Sequence, residues 1–436
     1  RDTFLDRIDA GSDLDFTTDA LPDQTEKILS GWADAVWAQG KRFGTIGAQR
    51  GDRRFEVTTH RAEHYDPGSR KPEVVFANAI EADLSRRDFT VNAMALSLPD
   101  LRLVDPFGGA ADLAAKKLRT PLSPEVSFSD DPLRMLRAAR FIAGYGLEPE
   151  AELVSAVTRL RGRLDIVSDE RVRDELDKLV VVPDPGPGLW FLVRTGLAEE
   201  FIPELPALAL EQDPIHRHKD VLAHTIAVVQ RARPARIVRL AALFHDIGKP
   251  KTRSFGPEGA VSFHHHELVG ARMTRDRMRA LRYAAEDIEK VSKLVELHLR
   301  FHTYGMGWTD SAVRRYVRDI GDLLEDLNEL TRADCTTRNV AKAKALAARM
   351  DELEVRIGEL REKEELASIR PDIDGKEIME HLGIKPGRIV GKALGFLLEE
   401  RLENGPRSKD EAYALLDKWW AEQPEHQAAE TAVHSS

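Results

Sequence analysis

The segment Ser12-Asp13-Leu14-Asp15-Phe16-Thr17-Thr18 alternates polar and apolar side chains, a period that fits a β-strand and not a helix. A strand sends successive side chains to opposite faces. Asp13 and Asp15 therefore leave one face together, while Leu14 and Phe16 enter a core. Two further strands are predicted from Arg42-Phe43-Gly44-Thr45-Ile46-Gly47-Ala48 and Arg54-Phe55-Glu56-Val57-Thr58-Thr59, joined through Gln49-Arg50-Gly51-Asp52 as a hairpin. Glu56 falls on the face opposite Phe55 and Val57. Three carboxylates on one sheet face repel one another unless a cation neutralises them. Two Mg²⁺ ions about 3.5–4 Å apart would do so and would suit a phosphoryl transfer. The same residues could instead be a solvated acidic turn.

The chain's organisation follows from where this pattern stops. A helical pattern runs from Gln24 to Gln39 between the strands, so residues up to about 120 read as a small mixed α/β unit. From Asp130 onward helical periodicity takes over. Pro183-Asp184-Pro185-Gly186-Pro187-Gly188 reads as a joint between helices, and an apolar helix from Ala235 to His245 meets stop signals at Gly248 and Pro250. Ala341 to Ala367 reads as one long exposed helix, and the chain turns polar after Gln423. At 436 residues several cores are expected. A net charge of −10 means that a nucleic-acid partner must be met by a local basic face. The single cysteine, Cys335, excludes a disulfide within the chain and points to a reducing, cytoplasmic location; no apolar run is long enough to cross a bilayer. Aromatic residues are 6% of the chain, so broad base-stacking surfaces are not expected to dominate recognition.

Further motifs follow in order. Arg1-Asp2 precedes Gly11-Ser12-Asp13-Leu14-Asp15. Then come Arg86-Arg87-Asp88-Phe89-Thr90-Val91-Asn92-Ala93-Met94-Ala95, Asp105-Pro106-Phe107-Gly108-Gly109, and Asp130-Asp131-Pro132-Leu133-Arg134-Met135-Leu136-Arg137-Ala138-Ala139-Arg140-Phe141. In this order and composition the chain resembles the bacterial-type (class II) tRNA CCA-adding enzyme and poly(A) polymerase family. The ordered motifs cover roughly residues 1 to 180, and later segments extend the match to about residue 400. The family's Gly-Gly-x-Val would be expected just ahead of Arg1.

The resemblance implies an α/β head (a nucleotidyltransferase palm on a small mixed sheet, residues 1–122). It implies a helical neck with a nucleobase-template helix at 123–205, an HD-type helical body at 206–335 and a helical tRNA-binding tail at 336–436. It implies metal-binding catalytic roles for Asp13, Asp15 and Glu56. It also implies nucleotide binding by Arg1, Asp2, Ser12, Arg86, Arg87, Asp88 and Asn92, with base reading by Asp131 and Arg134 and Arg137 one turn further on. Asp131 and Arg134 are three apart, so on a helix they would share a face. A carboxylate offers acceptors and a guanidinium paired donors, which together match the edges of C or A; a surface salt bridge is the plainer reading of the same pair. Residues 62–85, with Tyr65-Asp66-Pro67-Gly68, would form a flexible loop that resets specificity between C and A.

A second cluster is made of histidines. His224, His245-Asp246, His266, His298 and Asp334 occur in an order that resembles the HD metal-dependent phosphohydrolase superfamily. Imidazoles with carboxylates suit a transition metal better than Mg²⁺. Such a centre would activate water for phosphoester hydrolysis, or else the helices would serve only as a body supporting tRNA. Near the end, Gly387 opens a helical run flanked by Lys385, Arg388 and Lys392, a natural phosphate site that would contact tRNA. The expected activity is template-independent addition of C, C and A to tRNA from CTP and ATP. Poly(A) synthesis, CC-only or A-only addition, an HD phosphohydrolase with an RNA-binding head, and a non-catalytic RNA-binding protein are the alternatives.

Overall fold

Leu14–Thr18 forms β1, which pairs in parallel with β4 (Arg53–Thr59), so that Asp15 lies opposite Glu56. Strand β4 pairs antiparallel with β3 (Thr45–Arg50), and β3 with β2 (Ala35–Trp37), giving a four-stranded sheet in the order β1-β4-β3-β2. The structure, a computed structural model, describes residues 1, 5, 14–64, 73–210, 220–256, 261–306, 308–336, 340–363 and 369–424. Gly51 makes the β3–β4 turn at φ +58°, where a glycine carries no side-chain penalty, and its N–H is held by the Asp34 carboxylate at 2.7 Å.

Helix α1 (Pro22–Ser30) covers one face of this sheet. Its Leu29 joins Ile46 and Ala48 in a core flanked by Val36 and Val57. The expected helix from Gln24 to Gln39 is thus half right. It ends at Gly31, and after Asp34 the chain becomes β2, because Val36 is needed in that core. Residues 62–85 are also not one loop. Strands β5 (Arg61–His64) and β6 (Glu73–Phe76) form an antiparallel ribbon, followed by α2 (Ile80–Ser85); Tyr65-Asp66-Pro67-Gly68 lies outside the described residues.

A 3₁₀ turn at Thr90–Asn92 and a small hairpin of β7 (Ala95–Ser97) and β8 (Arg102–Val104) lead to α3 (Gly109–Ala114). Asp105 caps α3 through Gly109 N and Ala110 N at 2.7 and 2.9 Å. A side chain at Gly109 would meet the Thr90 carbonyl oxygen at 2.1 Å, so glycine lets α3 press against the 3₁₀ turn. There Thr90 Oγ1 donates to Asp112 at 2.6 Å.

The neck comprises α4 (Pro124–Asp130), α5 (Leu133–Tyr145), α6 (Ala151–Leu160), α7 (Asp169–Val180) and α8 (Gly186–Arg194). Gly188 brings α8 against α5, where a Cβ would lie 2.4 Å from the Ala139 carbonyl. The Pro-Gly stretch 183–188 marks the joint between α7 and α8: Pro183-Asp184-Pro185 lies between the helices and Gly186-Pro187-Gly188 forms the first turn of α8. Next come α9 (Val221–Arg231), α10 (Arg236–Phe244), the short α11 (Lys249–Thr252) and α12 (His266–Ala280). Arg239 is 2% exposed, and its guanidinium is satisfied by the carbonyls of Val180, Val182, Pro183 and Ala232. It closes the end of α7 from within the core.

The chain divides into two compact units, Arg1–Val291 and Ser292–Ser436, the division falling inside α13 (Ala285–Leu297). The second unit holds α14 (Asp310–Ile320), α15 (Leu324–Asp334), α16 (Val340–Lys363), α17 (Gly375–Leu382), α18 (Arg388–Asn404) and α19 (Lys409–Ala421). Helix α16 is not exposed all round: Met350, Leu353, Ile357 and Leu360 are buried at intervals of three and four. Among the described residues no helix is long and apolar enough to cross a membrane.

Candidate active site and histidine centre

The sheet face left bare by α1 carries the chemistry. Asp15 and Glu56 are both exposed there and stand side by side through the β1–β4 register, with Thr58 one step along β4. Among the described residues neither carboxylate makes an ion pair. Asp2, Ser12 and Asp13 lie outside the described residues, so only two of the three expected carboxylates are placed. They open into a cleft of about 630 Å³, whose lining includes seven arginines (1, 61, 86, 87, 134, 137 and 171) against the acids Asp15, Glu56, Asp88 and Asp131. That excess of positive charge is opposite in sign to the chain's net charge of −10.

The Arg-Arg-Asp segment is built to aim these arginines. Asp83, fully buried, accepts from Arg86 Nη2 at 2.6 Å and from Arg87 Nη2 at 3.2 Å. Burial alone would push Asp83 up, but the two guanidiniums outweigh it and hold the carboxyl below its usual range. Asp88 is buried too and accepts from Asn92 Nδ2 at 2.9 Å, Phe89 N at 2.8 Å and Arg137 at 2.8 and 2.5 Å. Burial raises its carboxyl, and Arg137 with these hydrogen bonds brings it below the usual range. Asn92 in turn accepts from Arg1 Nη1 at 2.6 Å, and the Arg1 guanidinium lies 4.5 Å from the Tyr145 ring centre. Arg137 and Arg140 of α5 both reach buried Glu175 of α7, at 3.7 and 2.7 Å.

Asp131 and Arg134 line the cleft, but they do not share a helix. Pro132 excludes the residue before it from helical backbone, and Asp131 is extended at φ −135°, ψ 98°. Asp131 Oδ1 instead accepts from Leu133 N at 3.2 Å, at the start of α5, while Oδ2 lies 3.4 Å from Arg171. Arg134 is buried, donating to Ser127 Oγ at 2.9 Å and to the Arg86 carbonyl. Asp83, Arg61, Arg171 and Glu175 were not anticipated. Only Asp83 had a local signal, its three- and four-residue spacing from Arg86 and Arg87.

The histidines of the first unit form a second centre. His245 and Asp246 follow α10 directly and are both 1% exposed. His245 Nδ1 hydrogen-bonds the Ala242 carbonyl at 2.8 Å, and His266 Nδ1 the Phe263 carbonyl at 2.8 Å. With the Nδ1 proton on the carbonyl, Nε2 is the nitrogen that carries the lone pair whenever the ring is neutral, the orientation metal-binding histidines adopt. His245 Nε2 lies 3.3 Å from His224 Nε2. Asp246 lies 3.2 Å from His245, 3.6 Å from His224 and 3.3 Å from His266. Burial raises the Asp246 carboxyl, but His245, His266 and Lys249, whose Nζ is 2.7 Å away, hold it well below the usual range. Gly248 permits the junction: a Cβ there would meet the His266 carbonyl at 2.2 Å. In the second unit His298 Nδ1 makes the same contact, to the Val295 carbonyl at 2.6 Å, and Asp334 ends α15, 3.9 Å from His302. There too Lys385, Arg388 and Lys392 are exposed around the start of α18, with Arg388 and Lys392 one turn apart.

Comparison with known proteins bears on each region. Residues 1–119 match the poly A polymerase head domain, 146–208 the probable RNA and SrmB-binding site of polymerase A, and 221–357 the HD domain. The chain is 36% identical over 359 residues to the A-adding tRNA nucleotidyltransferase of Deinococcus radiodurans, covering 79% of this chain and 80% of that one. It is 34% identical over 369 residues to the CC-adding tRNA nucleotidyltransferase of Thermus thermophilus, covering 81% of each. The fold is shared with the Bacillus stearothermophilus CCA-adding enzyme solved in complex with CTP. There the TM-score is 0.68 at 21% identity, over 99% of this chain and 92% of that one.

Proposed function

From the premise that this chain belongs to the tRNA nucleotidyltransferase family, we propose that it adds C, C and A to the 3′ end of tRNA in the cytoplasm, using CTP and ATP. The observation that carries this reading is the pairing of Asp15 with Glu56 on a bare sheet face, at the floor of an arginine-lined cleft. Two adjacent exposed carboxylates without a cationic partner among the described residues suit a hard divalent cation, and Mg²⁺ held by Asp13, Asp15 and Glu56 fits that donor set. Bound there, Mg²⁺ would acidify a 3′-hydroxyl and offset triphosphate charge.

The chain's own residues do the rest. Arg86 and Arg87, aimed by Asp83, hold phosphates. Asn92, oriented by Asp88, and Arg1 lie beside them, in reach of the sugar. Asp131 and Arg134 offer acceptors and donors to the base. Arg134 is buried and donates to Ser127 and the Arg86 carbonyl, whereas the Asp131 carboxylate can accept more than its contacts to Leu133 N and Arg171, so discrimination falls mainly on Asp131. Asp131→Ala is expected to alter the ratio of C to A incorporation by about tenfold, the worth of one good polar contact. Single-nucleotide incorporation assays measure this, and an unchanged ratio would remove Asp131 from base reading. Asp2 and Ser12 belong to the same nucleotide-binding set, and Lys385, Arg388 and Lys392 to tRNA backbone contact. The division into head (1–122), neck (123–205), HD body (206–335) and tail (336–436) belongs to the same proposal.

The decisive experiment supplies tRNA lacking its last three nucleotides with Mg²⁺ and CTP, ATP or both. Ordered C, C and A addition followed by arrest supports the reading. The relatives sharing about four-fifths of their length are an A-adding and a CC-adding enzyme, so single-type addition is the second reading. A added only to tRNA ending in CC, or arrest after CC, would establish it. A long A tail would establish a polymerase.

The histidine centre of the first unit fits a transition metal, with His224, His245, Asp246 and His266 as donors. Such a metal would supply an activated water for phosphoester hydrolysis at damaged 3′ ends. Elemental analysis of protein purified without chelator is expected to find transition metal, and His245→Ala should lose it while retaining nucleotide transfer. Metal-free wild-type protein after incubation with Mn²⁺, Ni²⁺, Fe²⁺ or Zn²⁺ would refute the assignment.

A further inference from the structure

The sheet that carries Asp15 and Glu56 continues past them. Across the four strands the register aligns Asp15 with Glu56, Glu56 with Gly47, and Gly47 with Trp37. Residues directly opposite in a sheet share a face, so one row on the bare face reads Asp15, Glu56, Gly47, Trp37. The next row of that face aligns Arg54, Gln49 and Ala35. Gly47 is an empty seat in the row. A Cβ there would stand 2.0 Å from Trp37 Nε1 and 2.2 Å from Cε2, so the indole lies over the glycine backbone. Trp37 is half-buried, with one side resting on Gly47 and the rest facing a groove of about 410 Å³ that it shares with Gln39, Gln49, Arg54 and Glu56. Arg54 is exposed and makes no ion pair among the described residues.

Glu56 therefore stands between two cavities. The larger holds the arginines and suits a triphosphate. The smaller has an aromatic plate, amide side chains and a guanidinium that makes no ion pair among the described residues, which together suit a nucleotide of a single strand: a base to stack, a base edge to bond and a phosphate to pair. Nucleotide transfer brings two substrates to one pair of carboxylates, and the triphosphate cleft accounts for only one.

We propose that the Trp37 groove seats the 3′-terminal nucleotide of the acceptor RNA, its base stacked on the indole and its backbone phosphate held by Arg54. Gln49, whose amide nitrogen already donates to Gly51 at 3.0 Å, keeps its carbonyl for the base edge. This rests on the nucleotidyltransferase reading above and adds to it the place of the second substrate. Trp37 and Arg54 act on acceptor binding, and neither enters the triphosphate cleft.

The test uses the full chain with tRNA lacking its terminal nucleotides, Mg²⁺, CTP and ATP. Wild type is compared with Trp37→Ala, Trp37→Phe and Arg54→Gln. KM for tRNA and kcat are measured, and CTP affinity is measured separately by equilibrium binding without RNA. Trp37→Ala is expected to raise KM for tRNA about tenfold or more with CTP affinity unchanged, and Trp37→Phe to restore most of it. Arg54→Gln, on an exposed side chain that cannot unfold the sheet, is expected to raise KM for tRNA by a factor that shrinks as salt rises. Wild-type KM in both Trp37→Ala and Arg54→Gln, or an equal loss of CTP affinity, would overturn the proposal while leaving the enzyme reading intact. A wild-type chain that extends no tRNA would overturn both.

Discussion

Asp15→Asn is expected to lower nucleotide transfer on the order of a thousandfold while tRNA and CTP still bind. The carboxylate is exposed and makes no ion pair among the described residues, so its loss should leave folding stability within about 0.5 kcal/mol of the parent. What it removes is half of a charge pair that exists to meet a cation at the point of phosphoryl transfer. Losing one group preorganised for transition-state charge typically costs about 10²–10³ in rate, and a metal-binding carboxylate should lie at the upper end. Single-turnover extension of tRNA, read beside a thermal melt and a CTP titration, separates the effects. Loss of rate with unchanged melting and binding is the expected result. Transfer at a tenth of the parent rate or better would mean that the sheet face is not the reacting surface.

Asp88→Ala is expected to destabilise the first unit by about 3–5 kcal/mol. The side chain is buried and answers Arg137, Asn92 and the Phe89 N–H at once, so its removal strands two donors and leaves Arg137 with Glu175, at 3.7 Å, as its remaining ion pair among the described residues. The cost should fall when both partners go. A cycle of Asp88→Ala, Arg137→Ala and the double variant, read as the midpoint of the first urea transition, is expected to show strong coupling. Additive losses would show that the pair contributes nothing jointly. The carboxyl's depressed pKa fixes the sign of the acid response. Its contribution is fully present above the unfolded value of about 4 and is lost as pH falls through the lower folded value. The Asp88-dependent difference between parent and variant should therefore be flat at neutral pH and close below about pH 4.

The sequence disclosed the chemistry-bearing face more readily than its supports. Alternation around Asp15 and Glu56 was legible because a period of two is enforced by the pleat. Helix extent was less so. The pattern Gln24 to Gln39 suited a helix locally, yet Val36 was claimed by the sheet core, a demand from residues 46 and 57 that no short window contains. The placement of Asp131 is legible in the letters: Pro132 disfavours helical backbone at the residue before it. The bond from Arg137 to Asp88 spans 49 residues, and the four carbonyls around Arg239 come from two separate segments, so neither leaves a spacing to detect. The histidines were found by their order. That His245 and His266 each bind a carbonyl three residues back is a matter of ring orientation, on which the letters are silent.

Strand β1 stands at the border of its sheet and has β4 as its one neighbour among the described strands. Were that pairing to slide by a single position, Asp15 would turn toward α1 and an apolar side chain would take its place in the cleft. What opposes the slide is oil and not charge: Phe16 rests 6.2 Å from Phe55 on the far side of the sheet, and Phe55 meets Trp32 at 5.2 Å. A lesion among those three rings would thus masquerade as a chemical defect although no reacting atom is altered. Its signature would be heat sensitivity, with activity recovering on cooling as the strand finds its proper notch.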